Sequence, residues 1–276
     1  MNSIFKNFDF DYSYNILDKN NHFIKLLLDL KISFIIENSI QDIPSACIKN
    51  YIIILEYLHN KFQLRLFLEN EENPLLYDHV LNDDFSHIYN LISSEKQKSY
   101  EYAFPSIDLL YETLQASIAS SKTNHNKRKS LGFNIDEACT YAETYALNPN
   151  PNYKSFEGIG GDCTNFISQI LYAGGFKKTP TWKPYTNAWI RVEEIYSYLT
   201  SHKLGDKLPD DTYLDRGCLI QFYIPAIGKF FHNGFVTYKL ENNDCLYCCH
   251  SYNKLNYPLS EIYPNRYPTL RALKFD

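Results

Sequence analysis

Seven cysteines and eight histidines are spread along this chain, and one of each stands where chemistry is possible. Cys163 follows the turn Gly158-Ile-Gly-Gly-Asp162 and opens a segment in which Cys163, Phe166, Ile167, Ile170 and Leu171 recur at helical spacing. Gly174-Gly175 closes that helix. A thiol is a nucleophile only as its thiolate, so its free pKa of about 8.5 must fall for it to act at neutral pH. The positive end of a helix dipole and a neighbouring imidazolium both lower it. The pattern gives Cys163 the first helical position and Asp162 the N-cap, where a carboxylate accepts free N–H groups of the first turn. Those same N–H groups point to where an oxyanion would form. The plain alternative is a small apolar residue at the start of a buried helix.

The partner that a thiol needs is offered by Phe230-Phe-His-Asn-Gly-Phe-Val-Thr-Tyr238. Strand alternation there puts Phe230, His232, Gly234 and Val236 on one face. Gly234 leaves room beside the histidine for a substrate or another backbone. A histidine base needs its second ring nitrogen held by an acceptor, and His250-Ser-Tyr-Asn253 offers two candidates, His250 and Asn253. The alternative for His232 is a partly exposed strand histidine. Trp182, Tyr185 and Trp189 could wall a cleft for an extended peptide or sugar, although core packing accounts equally well for either tryptophan. Cys245-Leu-Tyr-Cys248 has a metal-ligand spacing. A structural zinc site wants a second ligand pair, and alternation sends these two thiols to opposite faces, so neither metal nor cofactor is expected.

The elements that must position these groups follow from periodicity. Asn134 is a candidate N-cap for a helix with Ile135, Cys139 and Ala142 on one stripe, ended by Asn148-Pro-Asn-Pro-Asn152. Cys218–Tyr223, Phe230–Tyr238 and Cys245–His250 are short β-like runs separated by turn residues. Helices followed by an antiparallel meander predict an α+β domain over 131–276. Residues 1–118 read as a mainly helical segment without a chemical motif. Phe23, Leu26, Leu27 and Leu30 recur at helical spacing, as do Ile107, Leu110, Tyr111 and Leu114, while Tyr51 to Leu68 fits a long helix or a hairpin. Ala119–Ser130, polar and aperiodic, predicts a linker between the two.

Composition narrows the class. Hydrophobic residues make up 45% and aromatic residues 16% of the 276, ample for a packed core. A net charge of −5 argues against nucleic acid, which calls for a basic face. No apolar run is long enough to span a membrane. Met1 to Tyr14 lacks the features of a signal peptide, so the cytoplasm is the expected compartment, with export by a signal-independent route left open.

The stretch from Tyr141 to Gly175, with Gly-Gly-Asp-Cys-Thr-Asn-Phe at its centre, resembles the signature of the bacterial putative amidase domain family. That family is similar in turn to the NlpC/P60 and CHAP branches of the papain-like superfamily. Trp182, Trp189, Gly217–Phe222, His232-Asn-Gly-Phe-Val-Thr237 and His250-Ser-x-Asn253 match it in order, over about half the chain. The resemblance implies a papain-like architecture, a nucleophile helix packed on an antiparallel sheet. It makes Cys163 the nucleophile, His232 the general base and acid, and His250 the orienting residue. Cys218 stands where the family usually has aspartate, and the N-terminal segment is an addition that could bind a partner. The implied activity is hydrolysis of an amide in a peptide or peptide-like substrate through a thioester. Transfer to an amine, as in a transpeptidase or transglutaminase, and an inactive peptide- or glycan-binding domain are the alternatives.

Overall fold

The computed structural model describes residues 5–82, 132–224 and 227–275, and its organising element is a single antiparallel sheet of ten strands. The N-terminal half supplies β1 (Phe5–Lys19), β2 (Phe23–Ile36), β3 (Ile43–Leu58) and β4 (Lys61–Glu69), followed by helix α1 (Pro74–Asn82). The C-terminal half begins with helices α2 (Ile135–Tyr145), α3 (Cys163–Ala173), α4 (Asn187–Ile190) and α5 (Val192–Ser201). Strands β5 (Asp206–Lys207), β6 (Leu219–Ile224), β7 (Lys229–Lys239), β8 (Cys245–Cys249), β9 (Lys254–Pro258) and β10 (Leu270–Lys274) complete it. The strand order is β1-β2-β3-β9-β8-β7-β6-β10-β5, with β4 pairing a second stretch of β3.

This corrects the expected α+β arrangement, a papain-like domain preceded by a mainly helical segment. Strand dominates the described residues, and the N-terminal half is sheet. The reason lies in β2. Its Phe23 and Leu27 pack toward α1 with Ile52, Leu68 and Val80, whereas Ile32, Phe34 and Ile36 belong to a cluster with Leu240 and Leu246. One strand thus buries one face at one end and the other face at the other. Apolar residues are needed on both, and such a run satisfies a helical period as readily as a strand. Tyr51 to Leu68 is the hairpin of its two readings: Leu58 pairs with Lys61 across His59 and Asn60, both at positive φ. Ile107 to Leu114 and the expected linker at 119–130 lie outside the described residues.

The C-terminal elements stand near their expected places. Asn134 caps α2 by accepting from the N–H groups of Asp136 and Glu137 at 3.1 and 3.2 Å. Helices α2, α3 and α5 cover one face of the sheet, where Phe166, Ile167 and Ile170 meet Leu219, Phe235 and Cys248. The other face carries Ile220, Phe222, Val236 and Tyr247, covered by Leu259, Ile262 and Tyr267. Each fully buried side chain of this size contributes about 1.5–3 kcal/mol relative to exposure. The two halves join where Ala46 and Cys47 of β3 pair with Leu255 and Lys254 of β9. Among the described residues, no helix is long and apolar enough to cross a membrane.

Candidate active site

Cys163 is the first residue of α3 and is 7% exposed. Gly160 and Gly161 before it both take positive φ, 97° and 94°, a conformation that side chains resist. Asp162 sits at the N-cap, but its side chain makes no cap hydrogen bond. Its Oδ1 accepts from the Phe156 N–H at 2.8 Å and from Asn165 Nδ2 at 2.9 Å, and its Oδ2 meets His250 Nδ1 at 2.7 Å. The expected cap is therefore replaced by a brace between the glycine turn, the helix and the segment after β8. The amide N–H of Asp162 donates to Ser251 Oγ at 2.8 Å, a second tie between the same segments.

His232 comes from β7 and is 1% exposed. Its ring stacks on Phe222 (centroids 5.7 Å apart), is tilted against Tyr252 (4.9 Å) and lies parallel to Tyr267 (6.4 Å). The next residue, Asn233, projects the other way and donates from Nδ2 to Thr164 Oγ1 at 2.8 Å. Its backbone N–H is close enough to the Cys163 thiol to favour the thiolate, so adjoining residues of β7 carry the imidazole and approach the nucleophile candidate. Gln221 holds this register by donating to Asn233 Oδ1 at 2.7 Å and to the Val192 carbonyl at 2.9 Å. Thr164, Gln221 and Asn233 went unnoticed in the sequence. The signal available was polar residues inside runs whose pattern demands burial.

Burial pushes the Cys163 thiol up, against the pull of the Asn233 N–H and the Thr164 hydroxyl. Burial also pushes His232 down to about 3, with Glu71 opposing. Both groups are therefore neutral at pH 7. His232 Nε2 has no hydrogen-bond partner, a costly state for a buried polar atom and a reason to look for function there.

His250 does not orient His232. Its two nitrogens are taken by Asp162 and, at 2.7 Å, by the Tyr145 carbonyl, and its ring stacks on Phe166 at 3.8 Å. Asn253, the other candidate, has a buried Oδ1 without a partner. Trp182 and Trp189 lie in the core, donating to Ser168 Oγ and Asn165 Oδ1, so neither walls a cleft. Tyr185 is 44% exposed and shares a groove of about 560 Å³ with Tyr141, Tyr153 and Tyr172. Gly234 leaves no opening: a Cβ there would stand 2.6 Å from the Tyr247 ring. Cys245 and Cys248 belong to the clusters on opposite faces of the sheet.

The uncharacterized protein YjcM of Bacillus subtilis (strain 168) is 38% identical over 136 residues, covering 46% of this chain and 33% of that protein. The uncharacterized protein YhbB of the same organism is 26% identical over 227 residues, 74% of this chain and 65% of that protein. The chain thus spans a third and about two thirds of the lengths of these two relatives. No solved structure matches it. The family model described as "Putative amidase domain" matches residues 132–270, half of the chain, including Cys163, His232 and His250. The chain belongs to that family through its C-terminal half.

Proposed function

We propose that this chain is a cysteine-dependent amidase or peptidase with Cys163 as nucleophile and His232 as general base and acid. The observation that carries it is the contact of the Cys163 thiol, at the start of α3, with the backbone of Asn233, the residue after His232. Cysteine at a helix start, then histidine on a strand, is also what supports kinship with the NlpC/P60 and CHAP enzymes. The substrate is a peptide or peptide-like amide.

His232 takes the thiol proton, and Cys163 Sγ attacks the amide carbonyl carbon. The first-turn N–H groups of α3, uncapped by any side chain, receive the oxyanion. The C–N bond breaks, and the amine leaves with the proton from His232. Water then gives a proton to His232 and attacks the thioester, releasing the acid and restoring the thiol. An amine in place of water gives transfer, and product masses with and without added amine separate the two. His250 acts as a positioning residue: through Asp162 it fixes the turn that presents Cys163.

One observation favours a binding domain without turnover, namely that thiol and imidazole are both buried and neutral. Alkylation of Cys163 at pH 7, followed by peptide mass mapping in the wild type and in His232→Ala, decides between them. The amidase reading expects labelling that slows at least about tenfold in the variant. Equal rates in both proteins, or turnover retained by Cys163→Ala, would overturn it.

A further inference from the structure

Glu71 lies in the turn after β4, outside the residues matched by the amidase family, yet its carboxylate is buried in the C-terminal half at 4% exposure. Its Oε2 meets Lys254 Nζ at 2.6 Å and Arg266 Nη1 at 2.9 Å, and its Oε1 accepts from the Tyr267 hydroxyl at 3.1 Å. Lys254 is itself only 4% exposed. A lysine buried that deeply demands an anion, because an unpaired charge out of water is very costly. All three receiving groups belong to the family-matched residues 132–270, whereas the anion they hold comes from the N-terminal addition.

The receptor is one aromatic ring away from His232. Tyr267, which donates to Glu71, lies along the His232 ring at 6.4 Å. Tyr252, whose ring is 4.9 Å from that of His232, carries Lys254 Nζ 5.5 Å from its own centroid. Burial alone would raise the Glu71 carboxyl, but Lys254 and Arg266 outweigh it and keep the group charged.

We propose that Lys254, Arg266 and Tyr267 form a carboxylate-binding subsite next to the His232 ring, that the amide substrate carries a free carboxylate near the scissile bond, and that Glu71 fills the subsite here as an internal stand-in. This rests on the amidase reading above. It makes the preferred substrate an acidic peptide or acyl amino acid, and it makes the N-terminal turn a competitor for the site.

The test uses the full chain and two probes of equal size, N-iodoacetyl-4-aminobutyrate and its neutral carboxamide. The rate of Cys163 alkylation by each is read by peptide mass mapping. Wild type is expected to react slowly and with no preference for the anion. Glu71→Gln keeps the shape and removes the charge, and there the anionic probe should react about tenfold faster than the neutral one. That preference should vanish in Glu71→Gln/Lys254→Met. Labelling of Glu71→Gln with no charge preference overturns the subsite and leaves the amidase reading standing. A folded Glu71→Gln whose Cys163 resists both probes overturns the amidase reading and the subsite with it. Should Glu71→Gln not fold, Glu71→Asp retracts the carboxylate by one methylene, and about a threefold preference is expected; none overturns the subsite.

Discussion

A histidine that burial holds near pKa 3 changes how stability depends on pH. The unfolded chain binds a proton at His232 below about 6.5, while the folded chain does not until about 3. Between those values the unfolded state carries more protons, so stability falls as pH falls through this window, by up to about 1.4 kcal/mol per unit. Urea unfolding from pH 7 to 5 should show this slope in the wild type and a shallower one in His232→Gln. Asp162→Ala removes the acceptor for Phe156, Asn165 and His250 at a 1% exposed position and should cost about 3 kcal/mol. In a double-mutant cycle with His250→Ala, the coupling should be about 2 kcal/mol. At this scale Cys163 and His232 were legible, because helix start and strand alternation are local patterns. The partners of Asp162 were not, since its acceptor role was settled by a histidine 88 positions later.

Among the elements, helices α2 and α3 were legible because their apolar residues recur at helical spacing and proline or glycine follows each, although α3 is buried on every side through Leu171. Strand β2 was not, because the face it buries changes along its length. The polar groups that join elements were equally hidden. Asn256 on β9, at positive φ, accepts from Thr237 Oγ1 at 2.7 Å and donates to Glu143 Oε1 at 2.9 Å and the Pro44 carbonyl at 3.1 Å. One buried amide thereby ties β7, α2 and the N-terminal half together. Asn256→Ala removes these three hydrogen bonds and places alanine in a left-handed conformation, an expected loss of about 3 kcal/mol in denaturant titration. Gly234→Ala forces Cβ into Tyr247 and should lower stability by about 2 kcal/mol, with Cys163 labelling changing alongside if β7 shifts.

For the molecule as a whole, the sheet makes the two halves depend on each other. Leu240 and Leu246 are covered by Phe34, Ile36 and Ile43, and Lys254 is neutralised by Glu71. A chain lacking residues 1–82 should lose at least about 3 kcal/mol of stability and associate in size-exclusion chromatography. The seam between the halves is also extreme in sequence distance, since Ser45 hydrogen-bonds a carbonyl 210 positions away. At a synthesis rate of about 5–20 residues per second, the N-terminal hairpins wait roughly 10–40 seconds for the strand that receives them. Glu71 is therefore made well before Cys163, and Lys254 and Arg266 come close to the last. The order of birth along the chain is carboxylate, thiol, imidazole, cations, so the anion is already waiting when its receptor leaves the ribosome.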